Sequence, residues 1–217
     1  MKKTLTLAMS AATALSLFSA VQMKQQHVPE RLDQIRLIHP AAAKKNHILI
    51  ANVGNAVPTG TWDVAVTYAV SRLQLNVWTN SVARFDGREF FAEPTKVQRD
   101  FGEKAKVGLF IVNQPGQPRF FGAPGFWYAA NACGIEEGAA DAQTVRDRYA
   151  KLILKGLAYA CGGGASLEPT CSLFYGSFTP KGMDGTGIMI SPTTYFPMLE
   201  ILRGIGGPEM LTPAIEE

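Results

Sequence analysis

Apolar residues recur at two spacings along this chain, and the alternation between the two predicts an α/β fold. Residues 47–53 form a short apolar run that ends at Gly54, as a strand buried on both faces does. A loop follows by composition, and Thr61 is the expected N-cap of a helix carrying Trp62, Ala65, Val66, Ala69, Val70 and Leu73 on one face. Leu75-Asn76-Val77-Trp78-Thr79 alternates apolar and polar positions, predicting a half-buried strand. A short helix is expected to end near Phe101. Residues 106–112 make the strongest central-strand candidate, cut off by the turn-forming stretch 113–118. After a turn rich in glycine and proline, residues 126–133 read as another strand.

The best helix is 140–161. Val145, Tyr149, Leu152, Ile153, Gly156, Leu157 and Ala160 recur at steps of three and four, and Arg146, Asp147, Arg148, Lys151 and Lys155 fill the other faces. Asp141 is a good N-cap, and Gly162 a good stop. Beyond it, scattered glycines and prolines predict an irregular region, closed by a helix over 195–203. Upstream, residues 21–45 read as an N-terminal arm, with one short amphipathic pattern at Leu32, Ile35, Arg36 and Ile38 that Pro40 ends.

Residues 1–20 begin with Lys2 and Lys3 and continue into an uncharged run of Ala, Leu and Ser, the form of a secretory signal peptide cut near Ala20. The expected location is therefore exported, periplasmic or secreted. No other segment is apolar enough to span a membrane. Without Lys2 and Lys3 the chain holds 19 basic against 18 acidic residues, and its cations are scattered, which argues against a nucleic-acid surface. Residues 46–217 are enough chain for a single domain with a full core. Three cysteines permit at most one internal disulfide. A Cys161–Cys171 bridge would close the glycine-rich turn and contribute about 3 kcal/mol. Three buried free thiols are the other arrangement.

Candidate chemistry centres on Lys155-Gly156-Leu157-Ala158-Tyr159-Ala160-Cys161-Gly162-Gly163-Gly164-Ala165. A zincin helix carries His-Glu-x-x-His, two imidazoles one turn apart with a general-base Glu between them, and metzincins add a turning Gly and a third His. In that frame the His positions read Lys155 and Tyr159, the Glu position Gly156, the turn Gly162 and the third ligand Ala165. The next residues place Cys171 in register with the second Cys of the archaemetzincin pattern Cys-x-x-x-x-Cys-x-Met. The spacing to that family's later Cys-x-x-Cys falls on Ser191-Pro192-Thr193-Thr194. The chain resembles a degenerate archaemetzincin. The resemblance implies a metzincin-like twisted mixed sheet packed with a long active-site helix and an irregular C-terminal subdomain. It also implies that the strand before that helix lines the cleft at the sheet edge, with Trp127 and Tyr128 near it. Packing within the sheet is the other reading of these two aromatics.

The residues at the ligand positions predict neither a catalytic group nor a metal or other cofactor. His27, His39 and His47 all lie upstream of the helix. A Lys/Tyr pair one turn apart can transfer protons, but a lysine reaching out of a helix and a tyrosine packing with its hydroxyl at the rim need no reaction. Ser166 and Ser172 have no histidine at a recognisable spacing. The expected function is an exported, catalytically inactive metzincin-like protein whose old cleft binds an unidentified peptide or protein, or which serves only as a stable fold. An exported hydrolase or peptidase using other residues is the alternative.

Overall fold

The computed structural model describes residues 48–73, 77–82, 107–125, 127–187 and 190–206. The signal segment 1–20, the arm 21–45, the three histidines and the short helix near Phe101 lie outside them. The sheet has five strands in the order β2-β1-β3-β5-β4. These are β1 (Ile48–Val53), β2 (Trp78–Val82), β3 (Val107–Val112), β4 (Phe120–Ala123) and β5 (Trp127–Asn131). All neighbouring pairs are parallel except β4 with β5.

Every residue of β1 and β3 is buried, which is why both read as unbroken apolar runs. The two-residue period of each strand then sorts side chains between the faces. Ile48, Ile50, Leu109, Ile111 and Ala130 join the core under helices α1 (Thr59–Leu73) and α2 (Ala142–Ala160). Leu49, Ala51, Val53, Phe110, Val112, Trp127 and Ala129 cluster on the opposite face with Phe121.

Local signals explain most boundaries. Asp141 Oδ1 accepts from the Thr144 N–H at 2.7 Å and starts α2. At the other end Gly162 takes φ +86°, its N–H bonds the Tyr159 carbonyl, and the Gly163 N–H bonds the Ala158 carbonyl, a Schellman stop. The start of α1 is three residues earlier than expected: it opens at Thr59, and the Pro58 carbonyl accepts from Thr61 and Trp62. Strand β2 is shifted too, covering 78–82 rather than 75–79. The expected turn before residue 126 contains the short strand β4. The closing helices are α3 (Pro180–Asp184), capped by Thr179 Oγ1, and α4 (Pro192–Gly206), longer at both ends than expected. Among the described residues no helix is long and apolar enough to cross a membrane.

Candidate functional site

One face of α2 carries Arg148, Lys151, Lys155 and Tyr159, and all four are buried. Their spacing of three and four residues stacks them in one row, and the irregular C-terminal region packs along that row. Arg148 forms a two-point ion pair with Asp184 of α3, Nε to Oδ1 at 2.8 Å and Nη2 to Oδ2 at 2.7 Å. Its Nη1 donates to the carbonyls of Ile135 and Glu137. One turn on, Lys151 Nζ donates to the Met183 and Thr186 carbonyls at 2.9 and 2.8 Å. After another turn Lys155 Nζ donates to the Ser177 carbonyl at 2.7 Å and to the Ser177 hydroxyl. The guanidinium and both ammonium groups thus hold one stretch of chain, 177–186, on the helix.

Electrostatics differ along the row. The bonds to Asp184 hold Arg148 above the usual arginine value against the effect of burial. Burial lowers Lys151, with Asp147 and Asp184 opposing the shift. Lys155 is pushed down to about 7, first by burial and then by the like charge of Lys151, with Cys171 opposing. Sequence periodicity had assigned these cations to faces other than the core face. The available clue was that 148, 151 and 155 share one stripe facing a C-terminal segment with few carboxylates of its own.

Tyr159 ends the row inside an aromatic group. Its ring lies 5.3 Å from Phe120 of β4, 5.9 Å from Tyr128 of β5 and 6.5 Å from Phe178, the last nearly parallel to it. Its hydroxyl is buried and has no hydrogen-bond partner among the described residues. Burial, with Tyr128 and Cys171 nearby, raises that phenol above its ordinary pKa. The remaining positions of the frame diverge. Gly156 faces the sheet, where an added Cβ would stand 2.8 Å from Leu109 Cδ1 and 2.9 Å from Ala130 Cβ. Gly162 turns the chain, and Ala165 is exposed.

Two expectations are corrected here. Strand β5 is internal, between β3 and β4, so Trp127 and Tyr128 do not stand on an edge strand. Trp127 is 2% exposed and lies across Gly108 on the face away from α2, while Tyr128 packs on Tyr159. Among the described residues the antiparallel strand β4 takes the edge. Asn131 positions it, bonding Gln114 and Gln117 in the loop before it, and Arg119 secures it through the carbonyls of Asn131, Cys133 and Phe178. The second correction concerns Cys161 and Cys171, which are both free thiols. The Cys171 sulphur instead accepts from the N–H groups of Leu173 and Ser191, each at 3.3 Å, and Cys161 is sealed at the end of α2. The Ser191 contact joins two positions that the family spacing had singled out.

The Lys155–Ser177 contact superficially matches a serine nucleophile beside a lysine base. Its hydrogen bonds run the wrong way. The Ser177 hydroxyl donates to the Phe174 carbonyl, and Lys155 donates to the hydroxyl oxygen. A base must instead accept the hydroxyl proton, and the nucleophile must be reachable, whereas Ser177 is fully buried. The arrangement locks a turn.

Comparison with known proteins agrees with this architecture. No family model and no curated protein matches the chain. Among solved structures it is similar to archaemetzincin from Methanopyrus kandleri, with a TM-score of 0.55 and 14% identity, over 75% of this chain and 99% of that one. It is also similar to a zinc-dependent peptidase from Methanocorpusculum labreanum, with a TM-score of 0.53 and 12% identity, over 69% and 99% of the two chains. The chain shares its fold with archaemetzincin. What the two share is a mixed α/β sheet packed with helices, and in this chain Lys155 and Tyr159 stand on the long helix α2.

Proposed function

We infer that this protein is an exported, non-catalytic domain with a metzincin-like fold that binds an extended peptide or protein segment along the edge strand β4. The observation that carries the inference is the Lys155 ammonium, buried at the first ligand position of the frame and committed to Ser177.

The residues present do not fit zinc. A zinc site of this kind needs neutral imidazole or anionic ligands on an open coordination position. Lys155 offers a cation or a committed amine, Tyr159 a phenol raised above its usual pKa, and Ala165 a methyl group. Gly156 has no side chain to move a proton, and the helix–sheet packing leaves no room for one. Among the described residues there is no group of three or more His, Cys, Asp and Glu that could hold a metal ion. The alternative is an exported hydrolase or peptidase using other residues, and the Lys155–Ser177 contact does not support it, because its hydrogen bonds run the wrong way for a nucleophile and its base.

Binding is supported by the sheet edge. Strand β4 ends the strand order among the described residues, and Phe120, Tyr159 and Phe178 form an aromatic floor beside it. An extended peptide can add to such an edge through main-chain hydrogen bonds, with alternate side chains meeting the floor. Export is part of the same reading and rests on Lys2, Lys3 and the uncharged run after them.

The deciding test is elemental mass spectrometry of the mature protein after dialysis against excess zinc and then buffer, paired with a peptidase assay on the same sample. Zinc far below one per chain and no cleavage are expected. One tightly held zinc per chain, or zinc-dependent cleavage, would overturn the reading.

A further inference from the structure

We propose that Lys151 and Lys155 form a pH-sensitive latch that holds the segment 177–186 on α2 and tightens as the solution becomes more alkaline. Both ammonium groups are fully buried and sit one helical turn apart. Among the described residues their hydrogen-bond acceptors are neutral oxygens, the Met183 and Thr186 carbonyls for Lys151 and the Ser177 carbonyl and hydroxyl for Lys155. The one cation of the row with a carboxylate partner is Arg148, through Asp184. Two like charges in a poorly polarisable interior repel, and each has lost its hydration. Closure is easiest when one of them is neutral. A neutral amine still has two N–H groups, enough for both acceptors on Ser177.

The groups acting on the pair are few. Lys155 is faced by Lys151 along α2 and by Cys171 from the irregular region, and Tyr159 lies on the next turn. Lys151 is faced by Asp147 of α2 and Asp184 of α3, which soften its shift. Tyr128 of β5 acts on Tyr159 rather than on the lysines. Burial and Lys151 bring Lys155 to about 7, whereas the hydrated side chain of an opened segment keeps a lysine value of about 10.4. Between those values the open form binds one proton more than the closed form, so closure strengthens as pH rises, by up to about tenfold per pH unit. Below about 7 both forms are protonated and the Lys155 contribution is flat.

What the latch governs follows from Phe178. Its backbone neighbour Ser177 is the Lys155 partner, and its ring lies over Tyr159 and against Phe120 of the edge strand. Release of Ser177 frees the Phe178 ring from Phe120 and Tyr159 and so remodels the floor beside β4. That consequence rests on the peptide-binding reading, whereas the latch does not.

The experiment is hydrogen exchange of the mature protein at pH 7, 8 and 9 without peptide, corrected for intrinsic amide rates. The readout is the Ser177, Met183 and Thr186 amides, whose N–H groups bond Phe174, Thr179 and Met183, with the β3 amides as reference. Protection of the three is expected to rise at least about fivefold over that range relative to β3, and Lys155→Met is expected to lose at least about half of the rise. A smaller rise, or one that Lys155→Met keeps, overturns the latch. If Lys155→Met does not fold, NMR titration of the Lys155 side chain in the wild-type protein decides. A midpoint below about 9 supports the latch, and one at the ordinary lysine value of about 10.4 overturns it. Failure of the latch in these measurements leaves the zinc and peptidase result untouched, so the two readings fail separately.

Discussion

Lys155 Nζ stands 2.7 Å from the Ser177 carbonyl oxygen and joins the middle of α2 to chain 22 residues later. The contact is one of three polar attachments from α2, and the row they form adds to the apolar packing of Cys171, Leu173, Met183 and Met198 in holding the C-terminal region. Arg148 differs from the two lysines in having Asp184 as counter-charge.

That difference can be measured. Asp184→Asn leaves the Arg148 guanidinium buried without a full negative partner, although the Ile135 and Glu137 carbonyls remain bonded to it. The expected loss is about 3 kcal/mol in urea unfolding. In a double-mutant cycle with Arg148→Met the coupling between the two sites is expected to exceed about 1 kcal/mol. Additive losses would mean that the carbonyls, not Asp184, carry the attachment.

Gly156 predicts a second outcome. At an exposed helix position Gly→Ala stabilises by about 0.5–1 kcal/mol. Here the new Cβ would meet Leu109 Cδ1 at 2.8 Å and Ala130 Cβ at 2.9 Å, and the latter sits directly on a strand and cannot swing aside. Overpacking of this kind costs about 1–3 kcal/mol, so Gly156→Ala is expected to be net destabilising by about 1 kcal/mol or more. Equilibrium denaturation of the variant checks the sign. A stabilised variant would show that the helix can lift off the sheet, and that a glutamate at this position is sterically admissible.

Strands β1 and β3 and helix α2 were legible because each satisfies its own pattern without help: unbroken apolar runs in the first two, a capped 3.6-residue period in the third. Strand β4 was not. It is four residues long, lies between Pro118 and Pro124, contains Gly122, and owes its extended form to pairing with β5. The edge was therefore assigned one strand too late, to Trp127 and Tyr128. The burial of Lys151 and Lys155 was hidden for a related reason. Periodicity reports which face of a helix is apolar, while the carbonyls that make a polar face burial-competent come from residues 177–186, remote in sequence. The frame positions themselves, from Lys155 to Ala165, were visible at once, but what each side chain touches was not.

The cysteines give a third prediction. Cys161 is fully buried and burial pushes its thiol up to about 12, Cys171 is engaged by two N–H groups, and Cys133 is half-buried. In the folded protein at pH 8 Cys133 is expected to react with a disulfide reagent while Cys161 and Cys171 stay protected, because the thiolate is the reacting form. All three are expected to react in urea, and prior reduction is expected to change neither count. If only one thiol reacts in urea before reduction, the Cys161–Cys171 bridge forms after all.

Tyr159 offers the sharpest test of how this face of α2 is used. Its ring is held by Phe120, Tyr128 and Phe178, but its buried hydroxyl bonds nothing among the described residues. An unsatisfied buried hydroxyl costs about 1–3 kcal/mol, and Tyr159→Phe removes it while keeping the ring. The variant is expected to be more stable by about 1 kcal/mol. Tyr159→Ala, which empties the aromatic group, is expected to lose about 3–5 kcal/mol. The comparison separates ring from hydroxyl by urea unfolding of the two proteins. If Tyr159→Phe is destabilised instead, the hydroxyl has a polar partner in solution. The aromatic group beside β4 would then hold a fixed water or another polar group.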